Sequence, residues 1–394
     1  MNKKTILLSF PLFSLALTSC GQVMNWKDNL DKYVVAMQYH ADFNILQLTD
    51  IHWNVNTSTA SSKQYLDKLI KEADAHVKEA DATAKIDLIE LTGDQFMLAN
   101  TYHVKTFVEY METKAVEYGF KYAIIWGNHD RHGLYSPNWL ADQYRKAEHC
   151  IYIEPEDNLY GRSNFVINLS TNGTDDPEHD PVVWQIANLD SGASFSESPL
   201  AIGRNYDYIR KDQTQWWVNE NIRAHYAPTI AYYHIPQQDN KIAWDLIKEA
   251  GAPFKNKFFK LEGFGDSDKP EYASDFISKG KDQGTLKAAF MGHAHNVDWT
   301  VDFEGVVVGL GVKTGPELYY AHIDPNSSEK DMIDGLASVN ASLPADEKID
   351  EKFDLIGASL VTLKEEGLDK TFDLEHLYLN EREGTSDFVR WVKW

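Results

Sequence analysis

The chain has 394 residues, 43% of them hydrophobic and 12% aromatic, enough to bury one large core or two ordinary ones and too apolar for a disordered chain. Its formal net charge of -22 excludes a general affinity for DNA, RNA or anionic lipid surfaces, because such binding is driven by lysine and arginine neutralising phosphates. A phosphate-bearing substrate would need cations other than side chains to offset that field, and the remaining acidity reads as a solvated surface.

At the amino terminus, Lys3 and Lys4 precede an apolar stretch from Ile6 to Leu17, followed by Leu17-Thr18-Ser19-Cys20-Gly21. Charged, apolar and small-residue regions in that order form a signal peptide, and the apolar part is too short for a permanent membrane span. The Leu-Thr-Ser-Cys run resembles the lipobox of bacterial lipoproteins, in which the cysteine is acylated and becomes the first mature residue. Residues 1–19 are thus expected to be removed, with Cys20 carrying a lipid that anchors the protein at the cell membrane. Acylation leaves Cys150 alone, so no intramolecular disulfide is expected and the core must supply the stability.

Residues 20–43 read as a tether, and residues 44–394 as one catalytic domain. The first strand is expected at 45–48. Leu66, Leu69, Ile70, Ala73 and Val77 recur at helical spacing, as do Val104, Phe107, Val108, Met111 and Ala115 ahead of Gly119. Short apolar runs at 86–91 and 122–126 predict buried strands, so the domain opens β-α-β-α-β with a parallel sheet. A hairpin is expected around Thr171-Asn172-Gly173, joining strands at 165–169 and 182–189. Further strands are expected at 229–233, 287–291 and 306–310. Residues 251–281 are rich in Gly, Lys and Asp without periodicity and read as an extended loop. An acidic insertion follows Asp324 to about Lys352, then strand-like segments at 358–363, 372–379 and 388–394.

Five polar clusters each sit just after an apolar run: Asp50-Ile51-His52, Gly93-Asp94, Gly127-Asn128-His129-Asp130, Tyr233-His234 and Gly292-His293-Ala294-His295. Taken singly, an Asp-x-His pair, a Gly-Asp turn or two histidines two apart is commonplace. In parallel sheets, however, ligands gather at the carboxyl ends of strands, and five such ends would crowd carboxylates and imidazoles at one rim. That crowding is unfavourable unless divalent cations are present.

The order of these motifs resembles the calcineurin-like metallophosphoesterase superfamily, over nearly the whole chain from Asn44. Leu189-Asp190-Ser191-Gly192, His234-Ile235-Pro236 and Lys313-Thr314-Gly315 are similar to the branch related to purple acid phosphatases. The resemblance implies an α/β fold, a sandwich of two mixed β-sheets flanked by helices. It assigns one metal ion to Asp50, His52 and His295, another to Asn128, His234 and His293, and a bridging role to Asp94. His129 matches the family's catalytic histidine, stabilising the transition state or protonating the leaving oxygen, and Asp130 is placed to orient it. A solvent molecule shared by two cations and deprotonated near neutral pH is the implied nucleophile on phosphorus.

The sequence also departs from that branch. The iron-binding tyrosine expected three residues after the Gly-Asp carboxylate is replaced by Met97, so a purple ferric site is not expected, and Mn²⁺, Zn²⁺ or Fe²⁺ all suit the ligand set. The Gly-Asp-x-Val-Asp-Arg pattern of protein phosphatases is missing. The expected function is hydrolysis of phosphate monoesters or diesters, small molecules or lipid headgroups, at the cell surface. Loops 131–163, 191–212 and 251–284 are the candidates for recognising the organic part of the substrate. A noncatalytic surface lipoprotein, binding or adhesive, that retains the fold is the rival from another class. His103, His132, His149, His179 and His225 lack strand-end context and read as surface or loop residues, His132 being the best exception because it closely follows Asp130. Trp216-Trp217 reads as core and Cys150 as a buried hydrophobe.

Overall fold

The computed structural model describes residues 33–53, 59–132, 135–155, 159–193, 206–243, 274–295, 299–315, 356–366, 369–380 and 388–394. The signal-peptide and lipidation expectations at 1–20, and the acidic insertion at 324–352, lie outside them. Chain order is β1 (Val34–Gln38), β2 (Phe43–Leu48), α1 (Thr59–Ala80), β3 (Leu88–Thr92), α2 (Thr101–Tyr118), β4 (Lys121–Ile125), α3 (Pro137–Lys146), β5 (Cys150–Ile151), β6 (Phe165–Ser170) and β7 (Val182–Asn188). There follow α4 (Lys211–Arg223), β8 (Thr229–Tyr232), α5 (Phe276–Gln283), β9 (Leu286–Met291), β10 (Thr300–Phe303), β11 (Val306–Leu310), β12 (Ile356–Glu366), β13 (Asp369–Asn380) and β14 (Phe388–Lys393).

These strands form two mixed seven-stranded sheets, one ordered β14-β13-β12-β2-β3-β4-β5 and the other β1-β6-β7-β8-β9-β11-β10. Side-chain alternation sorts each strand into two faces. Ile45, Leu88, Ala123 and Ile125 of the first sheet meet Ile167, Trp184, Ile186, Ile230, Tyr232 and Phe290 of the second, filling the sandwich. Their neighbours Leu46, Leu48, Ile89, Leu91 and Ile124 point the other way, onto Leu66, Leu69 and Ile70 of α1 and Val104, Phe107 and Met111 of α2. On the far side Trp216 and Trp217 of α4 and Phe276 and Ile277 of α5 cover Ala187, Ala231, Ala289 and Met291. The result is a helix, sheet, sheet, helix stack with three apolar interfaces, as an α/β sandwich flanked by helices requires.

Helix boundaries follow local chemistry. Asn100 caps α2 by accepting a 2.9 Å bond from the His103 amide. Gly119 ends the helix in the left-handed region at φ 76°, its N–H bonded to Ala115 O at 2.8 Å. Between β6 and β7, the turn at Thr171-Asn172-Gly173 is organised by Asp180, which accepts from Ser170 Oγ at 2.7 Å and from the Asn172 and Thr174 amides at 3.1 Å each.

Two expectations are corrected. The tether is expected to run to residue 43, but Val34–Gln38 is a strand paired parallel with β6, its short mixed sequence protected by an edge position. Of the loop expected over 251–281, residues 251–273 lie outside the described residues, and Phe276–Gln283 is a helix; Phe276, Ile277 and Gly280 bury one face, a pattern too short to register as periodicity. Beyond the last site motif, β12 pairs antiparallel with β2, which makes the C-terminal strands part of the same sheet that carries the first motif.

Strands β2, β3 and β4 run parallel, as do β7, β8, β9 and β11, and an isolated parallel bridge between Thr49 and Lys313 joins the ends of β2 and β11. The carboxyl ends of both parallel sets therefore reach one rim, and all five polar clusters lie on it.

Candidate metal centre

The loops after β2 and β3 are zipped together past the strand ends by Asp50 N to Gly93 O (3.1 Å), His52 N to Asp94 O (3.1 Å) and Trp53 N to Gln95 O (2.8 Å). Lys313-Thr314-Gly315 braces them from the other sheet: Thr314 N donates to Thr49 O at 2.8 Å, Gly315 N to Asp50 O at 3.1 Å, and the Thr314 hydroxyl accepts from Thr49 N. So held, Asp50, His52 and Asp94 take left-handed backbones, φ 52°, 46° and 52°, as does His293 at 77°. Such conformations are unfavourable for residues with side chains and cluster at functional sites, where surrounding structure enforces them.

Donor atoms of Asp50, His52, Asp94 and His295 lie within 4.8 Å of one another, and so do those of Asp94, His234 and His293. Asp94 belongs to both groups. Asn128 joins the second, its Oδ1 lying 3.0 Å from His234 Nε2 and 2.8 Å from His293 Nδ1. His234 and His293 have ring centroids 5.1 Å apart.

Three features suit these groups to cations. Asp50 Oδ1 and Asp94 Oδ2 are buried acceptors with no well-aligned hydrogen bond, facing the ring nitrogens His295 Nε2 at 3.4 Å and His234 Nε2 at 3.3 Å, although their carboxylates are otherwise committed: Asp50 Oδ2 to Thr49 Oγ1 (2.7 Å) and His293 N (2.9 Å), Asp94 Oδ1 to His129 N (2.8 Å). His52 Nε2 and His295 Nε2 face each other at 3.0 Å, two nitrogen donor atoms aimed at a common space. Charge completes the set. Burial disfavours ionised Asp50 and Asp94, yet the imidazoles of His234 and His295, with His129 and His52 around Asp94, hold both carboxyls well below the usual range. Burial, then the neighbouring His295, lowers His52 to about 3; burial, then His234, does the same to His293. His234 is itself disfavoured by burial but is raised to about 9 by Asp94 and Asp50. Two ionised carboxylates and two neutral imidazoles are the ligand forms a borderline divalent ion takes, and His234, protonated beside Asp94, would release its proton to join them.

The motif glycines make this convergence possible. A Cβ on Gly93 would lie 2.3 Å from His234 Nδ1, one on Gly127 would lie 2.2 Å from Asp94 N and Oδ1, and one on Gly292 would lie 1.9 Å from Thr49 Oγ1. Each glycine vacates space for another cluster's side chain or its support.

His129 stands at the edge, half-buried, its ring 5.6 Å from those of His52 and His132. Asp130 departs from expectation. Rather than orienting the His129 ring, its buried carboxylate accepts from Gly127 N at 2.9 Å and Phe96 N at 3.1 Å, tying the β3 and β4 loops together. Burial, then nearby Asp94, raises it to about 7. His103, His149, His179 and His225 contact Asn100, Glu112, Asp176 and Glu178, away from the rim groups. Burial raises the Cys150 thiol well above its ordinary value, which suits packing rather than nucleophilic attack. Trp216 and Trp217 are fully buried core residues.

Some supporting residues escaped the sequence reading. Thr49 and Thr92 each precede a motif: Thr49 steadies Asp50, and Thr92 O lies 2.9 Å from His234 Nδ1, fixing that ring's orientation. Both are threonines at strand ends, a signal too common to stand out. Arg131 donates to both oxygens of buried Asp190 at 2.5 Å and locks the β4 loop to the loop after β7.

Among the described residues no helix is long and apolar enough to cross a membrane. Among curated proteins, the chain is 25% identical over 318 residues to "Probable inactive purple acid phosphatase 28" of Arabidopsis thaliana, covering 72% of each. It is 25% identical over 293 residues to "Probable inactive purple acid phosphatase 14" of the same plant, covering 67% of this chain and 68% of that one. "Phosphatase DCR2" of Saccharomyces cerevisiae is 24% identical over 206 residues, 49% of this chain and 34% of that protein. The Metallophos family, described as calcineurin-like phosphoesterase, matches residues 43–297, from β2 through the last histidine cluster. With the fold, the rim and that match in agreement, the chain belongs to the calcineurin-like phosphoesterase family.

Proposed function

We propose that this protein is a phosphate-ester hydrolase with two divalent metal ions, one held by Asp50, His52 and His295, the other by Asn128, His234 and His293, and both by Asp94. The observation that carries the reading is the sharing of Asp94 between two groups whose buried acceptors face histidine ring nitrogens and make no well-aligned hydrogen bond. Two ions there would supply the positive charge that draws in a phosphoryl group and acidifies solvent, which this chain's net charge of -22 otherwise opposes. The chain's own residues do the rest. Thr49, Thr92 and the Gly315 amide fix the donors, so little reorganisation is needed when charge develops. His129, anchored by its backbone to Asp94 and half-buried among the described residues, would protonate the leaving oxygen in this reading.

Mn²⁺, Zn²⁺ and Fe²⁺ all fit the imidazole and carboxylate set. The test is to load the purified protein with each ion in turn, count bound metal, and assay para-nitrophenyl phosphate against bis-para-nitrophenyl phosphate. Two ions per chain and metal-dependent release of nitrophenol are expected. A protein with two ions that hydrolyses neither ester favours the rival reading, a noncatalytic binding protein, which the names of two curated relatives recommend. We also propose anchorage at the cell membrane through acylated Cys20, motivated by residues 1–20. Fatty-acid labelling that persists in Cys20→Ala would refute it.

A further inference from the structure

Among the described residues, the candidate metal centre is open along one edge. Asp50, His52, Asp94 and His234 are buried, whereas His129 and His293 keep part of their surface, so the accessible side of the site among the described residues runs between those two rings. At the His293 end stands Tyr206, its ring centroid 4.4 Å from that of His293 and the two planes at 81°.

The turn that carries Tyr206 is firmly fixed. Asp207 is buried, accepts the Tyr160 hydroxyl, and accepts from Arg210 at 3.1 and 3.2 Å. Room for it comes from Gly192, where a Cβ would lie 2.6 Å from the Asp207 carboxylate. The Ile209 side chain is buried and its amide donates to Gln237 Oε1 at 2.8 Å. Arg210 caps α4 and lies 4.1 Å over the Tyr160 ring. None of these anchors touches a candidate ligand, so the turn presents an aromatic side chain to the open edge from a rigid base.

We propose that Tyr206 is a specificity-determining residue, forming the wall at the His293 end and favouring phosphate esters whose organic part carries a flat ring, aryl or nucleoside, over esters of acyclic alcohols. The inference rests on the phosphoesterase reading above. With the phosphorus end held at the metal groups, the organic part of an ester leaving past His293 would meet the Tyr206 ring. An aromatic pair contact of that kind contributes about threefold to tenfold in affinity beyond simple burial.

The experiment measures equilibrium binding of phenylphosphonate and propylphosphonate, neither of which can be hydrolysed, to the Mn²⁺-loaded full chain by calorimetry. Wild type is expected to bind the phenyl compound about threefold to tenfold more tightly. Tyr206→Leu, checked for unchanged metal content, should bring the ratio to about one, and Tyr206→Phe should keep it. A wild-type ratio near one, a preference that survives in Tyr206→Leu, a loss in Tyr206→Phe, or no binding of either compound overturns the proposal. If the preference is found but no ester is hydrolysed, the hydrolase reading fails while this inference stands.

Discussion

Glu90 and Asp94 are both fully buried carboxylic acids, four residues apart at the end of β3, yet their environments drive them in opposite directions. Glu90 points between the sheets toward Asn188 and Tyr232, and burial raises it to about 8 against a small opposing contribution from Asn188. Asp94 lies at the rim beside His234, itself raised to about 9 and so charged, and that charge outweighs burial and holds Asp94 well below the usual range. Burial alone makes a neutral acid; converging imidazoles make an ionised one, ready for a cation. The middle of the sandwich and its rim are thus different solvents for the same functional group.

The strongest way to break this contrast is Asp94→Asn. It removes the charge shared by both groups, so metal content should fall below two per chain and hydrolysis by on the order of 1,000-fold, as expected when several kcal/mol of charge stabilisation is lost. Metal analysis and ester assays of the same preparation check both. Gly127→Ala keeps every ligand but drives a methyl group into Asp94. Metal affinity should drop about 10- to 100-fold, with a stability loss of about 1–3 kcal/mol, measured by metal titration and denaturant unfolding.

Glu90→Gln tests the other pole. Because the folded-state value lies near 8, above the ordinary 4.5, the folded protein holds its proton more tightly than the unfolded chain. The stability this gives is fully present below about pH 4.5 and is lost as pH rises toward 8. Glutamine mimics the neutral acid, so the variant should match wild type in Tm at pH 5 and exceed it by several degrees at pH 9. Equal Tm differences at both pH values would show that Glu90 does not titrate in this window. At the small end, His179→Ala removes an exposed pair with Asp176 and should leave stability within about 0.5 kcal/mol and metal content unchanged.

Much of this architecture could be read from spacing alone. Leu66, Leu69, Ile70, Ala73 and Val77 repeat at 3.6 residues because one face of α1 is buried, and Gly119 marks a helix end because its backbone is left-handed. The site motifs were legible because each is short, local and joined to a strand end. β1 was hidden because an edge strand needs only a few half-buried side chains, and α5 because eight residues give barely two turns. Asp130 shows the limit at the site itself. Its neighbour in sequence is His129, but its hydrogen-bond partners are the amides of Gly127 and of Phe96, thirty-four residues away.

By itself the sequence determined which residues carry metal-ligating chemistry and that they follow strands, since residue type and periodicity are local properties. Only the tertiary structure decided that Asp130 binds the Gly127 and Phe96 amides, that Gly93 and Gly127 clear room for His234 and Asp94, and that Tyr206 stands against His293. Those facts depend on how the two sheets stack and which loops meet at their rim, and contacts between residues dozens of positions or more apart leave no periodic trace in the chain.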